Sequence, residues 1–578
     1  MNKSLFLSLL MSLLTTFNAN SQQKVSLRFL CTSDVHGNYL PYDFIAGQPW
    51  EGGLSRVATF VQQQRETLGD DAVLLFDNGD ILQGQPTSYY YNYMDTVSTH
   101  FCAAALNYLR YDVGTIGNHD IETGHPVYDR WTRQCNFPIL AANAIDTRTE
   151  KPYWKPYTIL ERKGLRIAVI GMITPAIPQW LAEVLWSGLR FDDMVETAKH
   201  WIKVVKETEK PDLIIGLFHS GVGNPDQTGL LNEQATLQVA KNVPGFDLIF
   251  CGHDHREFHG DITNVEGRKV CVANTGPNGM NVAIGDIVYN KRKKVCEKVE
   301  VSLADIRNIT PHTEFVNHFV SQFRTVNRFT HEKIGHFDTG IDTKPAYFGP
   351  SAFVDFIHTL QLELSGADVS FAAPLSFDAA IPAGDIHVSE MFRLYRFENM
   401  LYVMKLSGKE IKDYLEFSYD GWVNTMKSAD DNMLLMKENP KQYTEAWQRL
   451  VTPSYNFDSA AGLLYTVDLR KAKGQRVSIK SFADGRPFEL DAIYRVALNS
   501  YRGNGGGNLL TKGAGIAPDR LKDRIVWSTE KDLRFYMIEA ISQHGHVAPK
   551  ALNQWKFIPE DWVEKRKPIE TEILFGNN

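Results

Sequence analysis

The chain has 578 residues, more than one hydrophobic core usually serves, so two or more domains are expected. At 43% hydrophobic and 22% charged residues the balance is that of an ordinary globular protein. With 61 Lys and Arg against 68 Asp and Glu the net charge is −7, which leaves no basic face for a nucleic-acid polymer but admits a small nucleotide.

The N-terminus reads MNKSLFLSLLMSLLTTFNANS. Lys3, the apolar run Leu5 to Leu14 and the small residues Ala19-Asn20-Ser21 follow the pattern of a signal peptide, placed at residues 1–21. The run is too short to span a bilayer, and no other stretch approaches the roughly 20 apolar residues required. A secreted or periplasmic protein is expected; a retained anchor is the alternative. Cysteines stand at Cys31, Cys102, Cys135, Cys251, Cys271 and Cys296 with no C-x-x-C pair. That spacing argues against a thiolate zinc site. Several of them sit in apolar runs, so unpaired thiols are expected.

Between residues 24 and 305 short apolar runs alternate with helix-sized segments. The runs are SLRFLCTSD, AVLLFDNGD, VGTIGNHD, LRIAVIGM, DLIIGLFHSG and FDLIFCGHDH. Continuous apolar strands of this kind predict an α/β domain whose strands are buried on both faces. From 312 to 332, Phe315, Val316, Phe319, Val320, Phe323 and Val326 recur at helical spacing and predict one amphipathic connector helix. Residues 333–560 mix a helical stretch, SAFVDFIHTLQLEL, with strand-like MLYVMKL, GLLYTVDL and YRVALNSY. A second, α+β domain is expected there.

Five of the six N-terminal runs carry Asp, Asn or His at or near their ends. Ligands of open α/β sheets bind beyond the carboxyl ends of strands, so these ends are predicted neighbours in space. In order they supply Asp34 and His36, Asp80, Asn118 and His119, His219, and His253 and His255. Imidazole, carboxylate and amide oxygen without thiolate suit divalent ions such as Mn, Zn, Fe, Co or Ni. Asp80, with two carboxylate oxygens, could bridge two cations. Two ions about 3.5–4 Å apart can lower the pKa of a water and clamp a phosphoryl group for in-line displacement. Glycines after His36 and before Asp80, Asn118 and His253 are expected where the backbone turns sharply beside the ions.

The order D-x-H, G-D, G-N-H-D, H, G-H-x-H resembles that of the calcineurin-like metallophosphoesterases, whose domain is a β-sandwich flanked by helices. With the second domain, nearly the whole mature chain resembles the bacterial 5'-nucleotidase and 2',3'-cyclic-nucleotide 2'-phosphodiesterase (3'-nucleotidase) family. The resemblance implies that Asp34, His36, Asp80, Asn118, His219, His253 and His255 hold two divalent ions and that His119 faces the phosphate. It also implies a C-terminal domain that stacks the base between two rings. LYRFENML nominates Phe397, with Asn399 as a base-edge partner, and ALNSYRGNGGGNLL nominates Tyr501.

Three departures from the family pattern bear on chemistry. The family reads G-N-H-E-F-D where this chain reads GNHDIE, so Glu122 stands where an aspartate supports the catalytic histidine. The 5'-nucleotidase branch carries a GGIR arginine that PLSFDAAIPAGDI lacks, and an N-G-G-D-G aspartate that is Gly507 here. Those two absences resemble the cyclic-phosphodiesterase branch. The expected function is therefore hydrolysis of 2',3'-cyclic and 3'-nucleotides. The alternatives are a 5'-nucleotidase or UDP-sugar hydrolase, and a nucleotide-binding protein without turnover.

Overall fold

The structure, a computed structural model, describes residues 24–227, 232–443 and 445–576. The signal-peptide pattern lies outside these. Among the described residues no helix is long and apolar enough to cross a membrane. The chain divides into two compact units: unit 1 runs to Ile177 and resumes over Glu183–Asn327, and unit 2 comprises Pro178–Ala182 and the chain from Arg328 onward.

Unit 1 is built on two six-stranded sheets. The first has the spatial order Val295–Asp305, Asn281–Asn290, Lys24–Thr32, Val73–Asp77, Val113–Thr115, Ile139–Leu140. The second has the order Glu257–Thr263, Lys269–Thr275, Leu248–Cys251, Leu213–His219, Leu165–Ile173, Tyr157–Arg162. Alternate residues explain why they stack. Leu27, Phe29 and Cys31 of one sheet share a core with Ile167, Val169, Ile215, Leu217 and Phe250 of the other. The opposite parity of the second sheet, Ala168, Ile170, Met172, Ile214 and Phe218, packs on residues of the helices Met194–Thr208 and Thr236–Asn242. Both faces are therefore apolar, which is why these strands read as unbroken hydrophobic runs. Asp193 starts the longer helix by accepting from the Val195 and Glu196 amides. All six expected strands are present, and each pairs in register with a parallel neighbour among the six. The six cysteines are unpaired.

The stretch expected as one connector helix is two, Thr313–His318 and Val320–Thr330, with Phe319 between them at φ −99° and ψ 18°. The break has a packing reason. Phe319 is buried against Phe101 and Tyr108 (centroids 5.0 and 5.7 Å), and Phe323 lies 5.3 Å from both Tyr42 and Phe44. The apolar stripe thus belongs to the core of unit 1.

In unit 2 a five-stranded sheet runs Ser459–Ala461, Val369–Ala372, Ile493–Asn499, Leu401–Ser407, Ile525–Ser528. Two three-stranded sheets accompany it, one of Val477–Phe482, Leu463–Asp468 and Trp555–Ile558, the other of Gly384–His387, Lys333–Phe337 and His546–Val547. The helix Gly408–Trp422 opens on a Ser407–Glu410 capping box and ends with Trp422 stacked on Phe457 at 5.0 Å and 4°. A last helix, Glu560–Phe575, extends past the boundary expected at 560. Glu570 within it is fully buried and accepts from the Met433 and Leu434 amides at 2.7 and 2.8 Å.

Candidate active site

The parallel strands of both sheets of unit 1 release their chains at the same end, and the ligand candidates sit in the first residues beyond. Asp34, His36 and His255 form one group and Asp80, His219 and His253 another, with potential ligand atoms within 4.8 Å of one another in each. Each group draws on both sheets. Asn118 joins the second: its Oδ1 lies 3.0 Å from His219 Nε2 and 2.7 Å from His253 Nδ1.

The backbone holds these residues in conformations that cost energy. Asp34, His36, Asp80, His253 and His255 all have φ between 49° and 75°, five of the fourteen described non-glycine residues at positive φ. Left-handed conformations of bulky residues persist only where the surroundings over-determine them, and they concentrate at functional sites. The expected role of the glycines holds at Gly37 and Gly79, both at positive φ, but not at Gly117 and Gly252. Those two are needed for closeness instead. A Cβ on Gly117 would stand 2.2 Å from Asp80 Oδ1, and one on Gly252 would stand 2.6 Å from Asp34 Oδ2.

Hydrogen bonds behind the ligand atoms fix which nitrogen faces inward. His219 Nδ1 donates to the Asn78 carbonyl at 2.6 Å, so Nε2 points at Asp80 Oδ2, 3.1 Å away. His36 Nδ1 is 3.3 Å from the Gln83 carbonyl, and its Nε2 lies 2.9 Å from His255 Nε2. His253 reverses the arrangement, with Nε2 on Glu233 at 2.9 Å and Nδ1 facing Asn118. Backing of this kind raises ligand basicity and fixes orientation.

These atoms fit divalent cations. Lone pairs of imidazole, amide and carboxylate converge, and the buried Asp80 Oδ2 faces His219 Nε2 at 3.1 Å. Burial pulls the His219 pKa down, but the Asp80 carboxylate more than offsets this and carries it to about 9. Burial likewise pushes the Asp80 carboxyl up, and His219 and His119 overcome it, holding it well below the usual range. The site therefore demands positive charge at its centre, which either a proton or a dication can supply; ligation selects the neutral imidazole.

His119 is one-quarter exposed and stands outside both groups; its amide donates to Asp80 Oδ1 at 2.8 Å. Its Nδ1 meets Glu122 Oε2 at 2.5 Å across one turn, so the longer carboxylate reaches the imidazole. Burial lowers the His119 pKa, but Asp80 and Glu122 raise it to about 10.

Several residues that position the site carried no spacing signal. Asp120 is fully buried and accepts four backbone N–H groups: Asp80 and Gly117 on Oδ2 at 3.0 and 2.7 Å, Ile81 and Leu82 on Oδ1 at 2.9 Å each. It clasps the Asp80 loop to the Asn118 loop. Ser33 donates to Asp34 Oδ2 at 2.5 Å, and Asp254 accepts from the Val222 amide at 2.9 Å. Only the letters of GNHD and GHDH could have drawn attention to Asp120 and Asp254.

In unit 2 the nominated base-site residues lie in loops at one end of the five-stranded sheet. Leu401 pairs with Asn499, which sets the loop before Leu401, carrying Phe397 and Asn399, beside the short helix Ser500–Gly503, carrying Tyr501. Phe397 is half-buried and has Tyr455 edge-on at 6.4 Å; Asn399 is buried. The Tyr501 ring covers Gly506, where a Cβ would come within 2.5 Å of it, and Arg502 lies over its face at 5.3 Å. Gly507 has φ 73°, and a Cβ there would meet Arg502 Nη1 at 2.4 Å and Asn456 Oδ1 at 2.5 Å. Arg502 is itself locked in a buried ion pair with Asp458 at 3.0 Å. No side chain fits at Gly507 without breaking that arrangement.

A two-sheet domain with paired nitrogen and oxygen ligand clusters, followed by an α+β domain, is the architecture of a two-domain metallophosphoesterase. Residues 27–257 match the calcineurin-like phosphoesterase family model, and residues 333–512 match that of the 5'-nucleotidase C-terminal domain. The chain belongs to the calcineurin-like phosphoesterases, in the group that carries a 5'-nucleotidase C-terminal domain. It is 27% identical over 598 residues to the trifunctional nucleotide phosphoesterase protein of Bacillus subtilis, covering 93% of this chain but 39% of that one. It is 26% identical over 623 residues to a 2',3'-cyclic-nucleotide 2'-phosphodiesterase/3'-nucleotidase of Yersinia enterocolitica, covering 96% and 91% of the two chains. A crystal structure from Staphylococcus aureus, provisionally named a 5'-nucleotidase, shares the fold with a TM-score of 0.75 at 22% identity, over 92% of this chain and 99% of that one.

Proposed function

We propose that this protein is a dimetal phosphoesterase that opens 2',3'-cyclic nucleotides and hydrolyses 3'-nucleotides, with 5'-nucleotides as slower substrates. The observation that carries the reading is the convergence of seven nitrogen and oxygen donors from five strand ends into two groups. Asp34, His36 and His255 would hold one ion, Asn118, His219 and His253 the other, with Asp80 between them. When bound, the ions supply Lewis-acid charge on the phosphoryl oxygens and lower the pKa of a water, and their identity is left to Mn, Zn, Co, Fe or Ni.

The chain's own groups do the rest. The His119 Nδ1 proton is committed to Glu122, which leaves Nε2 to donate to a phosphoryl oxygen or to the departing ribose oxygen. A histidine so placed contributes about 10²–10⁴-fold by proton donation or charge stabilisation. The rings of Phe397 and Tyr501 supply base stacking, about 1–3 kcal/mol and tolerant of the base, with Asn399 toward the base edge.

Preference for the cyclic and 3' esters is supported by Gly507. An aspartate there would face ribose hydroxyls, whereas this backbone leaves no room for one. The missing arginine of PLSFDAAIPAGDI supports the same branch, as does the name of the Yersinia relative. The leader-like run Leu5 to Leu14 supports a periplasmic or secreted setting. The test is a phosphate-release panel with Mn²⁺ over 2',3'-cyclic, 3'- and 5'-nucleotides. A kcat/KM for 5'-AMP above that for 2',3'-cyclic AMP restores the 5'-nucleotidase reading, and no release from any substrate favours a binding protein.

A further inference from the structure

A second set of metal-ligating side chains lies in unit 2, on the sheet of Gly384–His387, Lys333–Phe337 and His546–Val547. Its register places His336 opposite Asp385 on one side and beside His546 on the other. Residues level with each other across a sheet share a face. Phe337, the next residue, is fully buried with its ring 5.7 Å from Phe356, so the row containing His336 faces the other way, outward. Asp338 returns to that outward face, and its amide continues the ladder to the Val547 carbonyl at 2.9 Å.

The outcome is a compact cluster. The His336 and His546 rings stand 4.8 Å apart. His336 Nδ1 is 3.1 Å from Asp385 Oδ1, and His546 Nδ1 is 3.4 Å from Asp338 Oδ1. Ligand atoms of His336, Asp338 and His546 lie within 4.8 Å of one another.

We propose that His336, His546 and Asp338 bind one first-row divalent transition ion, with Zn²⁺ as its representative. Two imidazoles and a carboxylate are a three-ligand set that such ions accept, the remaining position being left to water. Zinc bonds of about 2.0–2.1 Å require donors roughly 3.3 Å apart. Side-chain rotation closes the cluster that far, because the three side chains are 33%, 73% and 52% exposed. Asp385 orients rather than ligates: Lys333 pairs with it at 2.8 Å, and it accepts from His336 Nδ1, leaving Nε2 for the ion. The ion would clip the short strand His546–Val547 to a strand more than two hundred residues earlier. These residues are separate from the phosphoesterase machinery, so the site is independent of the proposed reaction.

The test uses the tag-free full chain and its His336→Ala/His546→Ala variant, each dialysed against Zn²⁺ and analysed for metal. The wild type is expected to hold one more zinc per chain than the variant, with phosphate release the same in both. Zn²⁺ should slow carbethoxylation of His336 and His546 at least tenfold, read peptide by peptide by mass spectrometry. Asp385→Asn should weaken the extra zinc about tenfold or more. Equal zinc content in the two proteins, or modification of both histidines at a rate indifferent to Zn²⁺, overturns the proposal and leaves two ordinary His–Asp surface pairs.

Discussion

Adding one methyl group beside Asp34 should separate metal loading from folding. Gly252 precedes His253 and does not sit at positive φ, so alanine is acceptable to its backbone. Space is the obstacle. The new Cβ would stand 2.0 Å from Ser33 Oγ, 2.6 Å from Asp34 Oδ2 and 2.9 Å from Asn78 Nδ2. Restoring a contact of about 3.4 Å needs retreats of roughly 1.4 Å at Ser33 and 0.8 Å at Asp34. Asp34 cannot retreat freely, because the His253 amide donates to its carboxylate at 3.0 and 3.1 Å and Ser33 donates to it as well. Overpacking of this size costs about 1–3 kcal/mol, a drop of several degrees in Tm. Metal sites tolerate about 0.2 Å in ligand distance, so the ion on Asp34, His36 and His255 should be lost in a protein that still folds. Turnover should fall about 10²-fold, as a misplacement near 1 Å at a reacting centre does. Elemental analysis after dialysis against Mn²⁺, circular dichroism and hydrolysis of 2',3'-cyclic AMP measure the three effects. Adding Ser33→Ala removes the 2.0 Å contact and should recover stability more than metal, since the Asp34 contact remains. A folded Gly252→Ala protein with both ions and full turnover would mean that Asp34 does not depend on the space at Gly252.

Asp120→Asn keeps one carbonyl oxygen and turns an amide N–H₂ against two of the four N–H groups that Asp120 holds. Each unpaired buried donor costs about 1–3 kcal/mol, so the denaturation midpoint should fall and metal at Asp80 should weaken; an unchanged midpoint contradicts the clasp. His119→Ala should lower kcat by about 10²–10⁴ with metal content retained, and Glu122→Gln should lower it less; equal kcat in wild type and His119→Ala removes that residue from the chemistry. His358, buried between Ser370 and Ser459 at 2.9 and 3.2 Å, has its pKa pulled down by burial to about 3. The unfolded chain takes up that proton near pH 6.5 and the folded one does not, so stability is complete above about pH 6.5 and falls by about 1.4 kcal/mol per unit below it, toward pH 3. His358→Gln should flatten the pH dependence of the denaturant midpoint between 6.5 and 4.5 by about one proton, and an unaltered slope speaks against this origin.

What could be read in advance follows from what is local. The inner strands of unit 1 are apolar on both faces, so Leu213–His219 and Leu248–Cys251 announce themselves as short unbroken runs. Each candidate ligand sits within a few residues of its own strand end, so the ordered fragments SDVHGN, DNGD, GNHD, FHSG and GHDH point to one place. The two helices at Phe319 were hidden for the opposite reason. Helical spacing continues through the break, and only Phe101 and Tyr108, two hundred residues earlier, decide where the ring goes.

The division of the candidate ligands into two groups is the subtler case. Nothing in GHDH says that His253 and His255, two residues apart, serve different clusters. The structure makes them diverge through left-handed backbone at both, φ 75° and 57°, so that His253 turns to Asn118 and His255 to His36. That backbone is unfavourable for histidine by itself and has to be imposed. Asp34 contributes by binding the His253 amide, and Asp254, between the two histidines, by bonding the Val222 amide and the Asn274 side chain at 2.7 Å. The residues that carry chemistry are therefore legible as types in a pattern. The residues that make the pattern a site act through backbone amides and unfilled space at Gly117 and Gly252, and neither leaves a periodicity in the sequence.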